Sequence, residues 1–490
     1  MDKLEEKKSD RDRTTGGLLS KIPFGKFRLT ALVLGVGALI GNQIYAPNKR
    51  IIQSIVGVVL MSVLWNFSTL NALWFIAVMY PFPFAIAYGN SNFVFAILIF
   101  IIYLIRVSTG EEKIYFDKKV ALPVIFLIGS YILSFYNVDP GTILFKRGLI
   151  ETGTMFAAML FMFMVINLVD DEEKLDRMVK IMAITATLVI LFTIIEILFP
   201  GKTIVPNWLY TKHKTRLIMK GIRMGGPFHD FELVAEFFAM NVLIFFFLFT
   251  RAKRMLMKSL YMGLMITDLM MMFTTITRGA FISLFIGIVY LTFLSRKDLS
   301  FVRLVMLTGA FAIMILVMET VVARYTASGS LFERLFETTF QKGVIPTNRV
   351  GAWGGAIKRG MMHPILGGGP GWDFSGGLNV GLWPHNVYLF YFNITGVVGL
   401  TSFLFLMYRL GVATLPGIRS SIIHSSYAES FMKVLHVCFV MFAIDQIKIE
   451  YLRNNKYIFF VWLFFGMIIA TSNVIRKQKE EQLNATPPDS

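Results

Sequence analysis

The sequence predicts an all-α fold: a polytopic bundle of about 14 transmembrane helices (roughly 12–14) with a large structured outer loop. Three observations predict it. Hydrophobic residues fill 55% of the 490 positions and charged ones only 16%, where soluble domains carry about 25% charged residues. Apolar runs recur near the length needed to cross about 30 Å of hydrocarbon. Much of the Lys and Arg lies in alternate short connectors, as the positive-inside rule expects.

In chain order, residues 1–28 form a polar, basic cytoplasmic tail with no visible cleavable signal. In it Lys21, Lys26 and Arg28 alternate with Ile22, Phe24 and Phe27, which suits a membrane surface. Residues 29–199 form an N-terminal scaffold, with spans at roughly 29–46, 51–68, 70–89, 92–107, 120–136, 147–168 and 177–199. Residues 200–410 hold spans at roughly 230–250, 257–275, 279–295, 302–320 and 385–410. Residues 411–475 add two more, at roughly 431–447 and 456–474. Residues 476–490 are a second cytoplasmic tail, whose end, "NATPPDS", has a disordered composition.

With the N-terminus inside, the cytoplasmic side receives "RVSTGEEKIYFDKK", "DDEEKLDRMVK", "RAKRMLMK", "SRKDLSFVR" and "RKQKEE". "NKR" at 48–50 falls on the outer side, a mild departure from the rule. Most of the net charge of +17 is accounted for by this topology and by attraction to anionic lipids, so no nucleic-acid partner is expected. The single cysteine, Cys438, excludes an intramolecular disulfide. No soluble domain and no 20–50-residue repeat is apparent.

Two outer connectors are long, 200–229 and 321–384. Loops of that length are usually functional or disordered. The second contains "LFERLFETTF", apolar at helical spacing, and "NRVGAWGGAIKRGMMHP", a short helix that must stop before Pro364. A structured cap without chemistry is the plainer reading of this loop.

The candidate site lies at that outer face. Arg278 sits in a tight turn between two spans, where it either snorkels or binds an anion. Arg223 precedes a helix N-terminus, and Arg216, with Lys212, His213 and Lys214, makes the same connector basic. Arg349 and Trp353 are four apart and share one helix face. Three arginines from three segments suit a diphosphate, because the guanidinium donates in pairs and stays charged. His385 and Asn386 open a span directly after a glycine-rich loop. His385 either takes a proton from a hydroxyl or, with Asn386, merely satisfies helix-end N–H groups. Asn386 either orients the ring or binds substrate. His229, Asp230, Glu232 and Glu236 lack a recognised metal-ligand spacing, so neither metal nor cofactor is expected. Glu232 and Glu236, four apart in a span, instead raise a transporter or flippase with a proton relay as a reading of a different class.

Three patterns in order resemble the O-antigen ligase/polymerase superfamily of bacterial polysaccharide enzymes. They are "RMGGPFHDFELVAEFF", then "TITRGAFISLFIGIV", then Arg349, Trp353, Ala356, Pro364, Gly367, Gly369 and Gly371 followed by His385-Asn386 and "GVVGL". The resemblance covers roughly residues 220–400. It implies a metal-independent inverting glycosyltransferase in the bacterial cytoplasmic membrane, with its site at the outer face. The donor it implies is an oligosaccharide on undecaprenyl diphosphate, and the acceptor a glycan hydroxyl. By the same resemblance His385 is the base, Arg278 and Arg349 hold the diphosphate with Arg223 assisting, and the outer loop closes as a mobile lid. A polysaccharide polymerase, working with other assembly proteins, is the expected member. An O-antigen ligase acting on lipid A core and a protein O-oligosaccharyltransferase are the alternatives.

Overall fold

In the computed structural model the described residues are 65–199 (except 84, 87, 88 and 116), 217–218, 221–296, 309, 320, 347–371 and 384–485. The chain divides into two compact units, Met1–Ser68 and Thr69–Ser490, and every helix below belongs to the second.

The helices are α1 (Thr69–Met79), α2 (Ser91–Ser108), α3 (Lys118–Ser134), α4 (Ile143–Leu168), α5 (Glu172–Leu198), α6 (Phe231–Arg251), α7 (Met255–Thr274), α8 (Arg278–Leu294), α9 (Thr347–Gly360), α10 (Val387–Thr414), α11 (Tyr427–Asp445) and α12 (Tyr457–Ala485). Among the described residues nine helices are long and apolar enough to cross a membrane, and α1 and α8 are shorter apolar helices. The protein is a helical, multi-pass membrane bundle. The only strands among the described residues are two short antiparallel pairs, 85–86 with 89–90 and 217–218 with 221–222.

The span expected at 70–89 is cut short. Its helix ends at Met79, because Pro81 and Pro83 follow, and proline disfavours helical geometry in the residue before it. The expected span 29–46, most of 51–68 and of 302–320, and the segment "LFERLFETTF" lie outside the described residues. So do 201–216, 321–346 and 372–383 of the two long connectors.

Burial separates an inner layer from an outer one. The apolar windows of α6 and α12 are 83% and 89% buried, against 33% for α3 and α7. Leu122, Ile125, Phe126, Ile132 and Leu133 on α3 and Ile282 and Phe285 on α8 are exposed. In water such apolar faces would be a liability; in hydrocarbon they are the lipid-facing surface.

One helix is broken, and its repair explains the glycine-rich loop. Gly396 has a left-handed φ of 63° inside α10, which interrupts the helical ladder. The preceding loop supplies the missing partners. Gly368 and Gly369 N–H donate to Asn393 and Ile394 carbonyls (2.7 and 3.0 Å), and Val397 N–H donates to Pro364 O (2.8 Å). Inside a membrane these groups have no water to turn to. Gly367, at φ 72°, is required there: a Cβ would collide with the Ile394 and Thr395 backbone. Residues 367–371 are buried, and Asn137 Nδ2 holds Gly367 O at 2.7 Å. In this stretch the glycines serve close packing against the broken turn of α10.

Candidate functional site at the His385 end

The connectors 137–143, 223–230, 275–278, 364–371, 384–386 and 446–456 meet at one end of the bundle. Asn386 Nδ2 donates to Ile447 O (2.9 Å), Asn454 Nδ2 to Phe228 O (2.5 Å) and Arg223 Nε to Thr275 O (2.8 Å). Three helices start here in the same way. Asp230, Thr277 and Asn386 are the N-cap positions of α6, α8 and α10. The residues just before them, His229, Ile276 and His385, have φ of 58°, 51° and 47°, the only non-glycine positive values among the described residues. For an L-residue, above all β-branched Ile276, this backbone is unfavourable, and such strain gathers at functional sites.

The centre of the end is a charge cluster. Arg453, between α11 and α12, donates through Nη2 to Asp230 Oδ1 (2.8 Å) and Glu232 Oε2 (2.7 Å). Its Nη1 lies 2.9 Å from His385 Nδ1 and 3.5 Å from Glu450 Oε1. Arg349 Nη2 reaches the other oxygen of Glu232 at 3.0 Å. Glu232 Oε2 is also 3.5 Å from His385 Nδ1. Three carboxylates thus face two guanidiniums and one imidazole. The Arg453, Glu232 and Glu450 side chains are at most 14% exposed, while those of Arg349 and His385 are 26% and 32% exposed.

Burial sets the proton balance of the connector. It pushes the Glu450 carboxyl up to about 7, against the pull of Arg453. Burial also opposes the charge of Arg453, but Asp230, Glu232 and Glu450 outweigh it and raise its pKa. Lys456 is lowered to about 7 by burial alone, with Nζ on Pro227 O at 2.8 Å.

The residues expected from sequence separate into groups. His385, Arg349 and Trp353 come together, with Trp353 Nε1 donating to Pro384 O (2.8 Å). This fixes the residue before His385. Nε2 of His385 makes no hydrogen bond among the described residues. Asn386 is the cap of α10: Oδ1 accepts from Leu389 N–H (3.0 Å) while Nδ2 holds Ile447. Its polar atoms are engaged, so His385 is not the cap and Asn386 is a brace. Arg223 is directed elsewhere. It donates to Thr275 O, Ile276 O (3.1 Å) and Thr277 Oγ1 (3.1 Å), and stacks on Phe231 at 3.3 Å. It holds the strained turn that presents Arg278, the first residue of α8. Lys448 ties that turn to the same connector, with Nζ donating to Gly279 O (2.7 Å). Arg216 lies outside the described residues.

Sequence reading missed Arg453, Glu450 and Lys448. The signal was present: positions 445–456 carry five charged residues between two apolar spans. Glu232 and Glu236 divide. Glu232 joins the charge cluster, whereas Glu236, one turn deeper, accepts from Gln446 Nε2 (3.0 Å) and Tyr457 OH (2.9 Å) and braces the connector. Among the described residues no group of His, Cys, Asp and Glu is arranged to hold a metal ion. The chain matches no protein-family model, and no curated protein matches it.

Proposed function

We propose that the chain is a membrane-embedded, inverting glycosyltransferase that moves a glycan from undecaprenyl diphosphate to an acceptor sugar hydroxyl, as a polysaccharide polymerase. On this reading it has about 14 spans, lies in the bacterial cytoplasmic membrane, and turns its His385 end outward. The observation that carries the reading is the pairing of an unengaged imidazole Nε2 with a part-exposed guanidinium, on strained backbone, at a membrane-protein end. The resemblance of residues 220–400 to the O-antigen ligase/polymerase superfamily supports it.

The acceptor O–H gives its proton to His385 Nε2, and its oxygen bonds to the anomeric carbon. The bond from that carbon to the diphosphate oxygen breaks, and diphosphate leaves with the electron pair. Arg349 and Arg278 would meet the leaving charge, which is where fixed donors lower a barrier most.

The test is sugar transfer by purified protein from a lipid-linked oligosaccharide. His385→Asn keeps a residue that tolerates left-handed backbone, yet it should lose about 10²- to 10⁴-fold in rate while donor binding persists. Transfer at the parental rate by His385→Asn would overturn the reading.

A further inference from the structure

Nδ1 of His385 has two neighbours with opposite demands. Arg453 Nη1 is 2.9 Å away, and a guanidinium can only donate. Glu232 Oε2 is 3.5 Å away, and a carboxylate can only accept. A neutral imidazole carries one N–H, so it cannot satisfy both. In the resting geometry the shorter contact belongs to Arg453. Nδ1 is then the acceptor, and the hydrogen sits on Nε2, the atom that must be bare to act as a base.

We propose that Arg453 holds His385 in the idle tautomer, and that anion binding at Arg349 hands Nδ1–H to Glu232 and bares Nε2. The proposal rests on the transferase reading. Its mechanical link is Glu232. One carboxylate oxygen is held by Arg349 and the other by Arg453. An incoming diphosphate competes for Arg349, whose remaining donors have no partner among the described residues. Once Arg349 turns to the diphosphate, the Glu232 carboxylate has lost one cation. The Nδ1–H of the imidazole is the replacement donor within reach. Moving the ring hydrogen from Nε2 to Nδ1 changes no net charge; the proton leaves by one nitrogen and returns at the other through water. Nη1 of Arg453, which has no acceptor in a protonated Nδ1, turns to Glu450 Oε1, 3.5 Å away, while Nη2 stays on Asp230. Glu232 and Arg453 are thus positioning residues for a base that is active only when the donor is in place.

Ring-nitrogen shifts in ¹⁵N-histidine solid-state spectra report the tautomer without needing turnover. The chain has six histidines, and the His385 signal is the one absent from His385→Asn. The resting protein should show Nε2 protonated and Nδ1 bare. Adding undecaprenyl diphosphate should reverse this. Arg453→Gln should show Nδ1–H without ligand. Glu232→Gln should show no reversal; its kcat should fall about 10²- to 10⁴-fold. The same change frees Arg349, so its KM for donor should stay level or drop, whereas a merely structural loss would weaken both. Nδ1 protonated in the resting protein, or parental kcat in Glu232→Gln, would overturn the proposal. Tautomer reversal in a protein that transfers no sugar would keep the switch and remove the transferase reading.

Discussion

The two polar ends of the bundle are built from the same residue types and arranged in opposite ways. At the end away from His385, the closest charge pairs are local and lie along one exposed helix, beside a looser pair of Lys479 with Glu429 at 3.7 Å. Lys174 with Asp170, Arg177 with Glu173 and Lys180 with Asp176 are all i,i+4 pairs on or just before α5. Helices there start with ordinary caps, Asp171 and Ser426. At the His385 end, Arg453 reaches Asp230 and Glu232 across more than 220 residues, in a nearly closed setting, beside three strained residues. Local exposed pairs satisfy a helix surface and help set orientation. Buried long-range pairs and backbone strain cost stability, and persist where function needs them.

Arg453→Leu should produce the largest effect. It leaves Asp230 and Glu232 without their shared cation, and breaking a buried pair costs about 3–5 kcal/mol. Unfolding of the purified protein in mixed detergent measures it. A loss under about 1 kcal/mol would mean this end is no more demanding than a surface.

Next in size is a pH effect through Glu450. Its folded pKa is raised to about 7 from 4.5, so the folded state binds the extra proton. Stability from this group is full below about 4.5 and declines as pH climbs through 7. The total decline is about 3 kcal/mol. Glu450→Gln removes the slope. The stability difference between parent and variant should therefore grow from pH 5 to pH 8 in the variant's favour, and a constant difference would remove this assignment.

Gly367→Ala comes third. The new Cβ meets both the left-handed backbone and the Ile394–Thr395 chain, and should cost about 1–3 kcal/mol. Gly263→Ala is the control: nothing lies within 4 Å of its added Cβ. Equal melting of the two variants would separate the glycine-rich loop from the repair of α10.

These contrasts also mark what the sequence could disclose. Helices α2 to α8 and α10 to α12 follow from apolar length, and the stop of α9 before Pro364 follows from proline. The shared face of Arg349 and Trp353 came from a four-residue spacing, and His385 from its place at a span's start. Each is a local signal. The charged run at 445–456 was visible, but the role of Arg453 was not, because its partners lie about two hundred positions away and a charged connector between spans is the ordinary expectation. Arg223 misled for a related reason: a basic residue near glycines suits an anion, but backbone carbonyls of a distant turn suit it equally. The break at Gly396 hid inside a run of uniform hydropathy.

The smallest expected effect completes the contrast. Lys180→Ala removes an ion pair formally like that of Arg453 with Glu232, but its side chain is 52% exposed and that of Asp176 29%. Water already solvates both groups, so the pair gains little Coulomb energy, and ordering two long side chains offsets part of it. Exposed helical pairs are worth about 0.3–0.5 kcal/mol, and alanine, the better helix former, returns a few tenths. The net change should sit within about 0.5 kcal/mol of zero. Salt sharpens the comparison. At about 1 M the screening length falls to about 3 Å, which should erase whatever Lys180 contributes and leave the Arg453→Leu loss nearly intact, since ions do not reach a closed cluster. A Lys180→Ala loss as large as that of Arg453→Leu, or an Arg453 loss that salt abolishes, would break the distinction between the two ends.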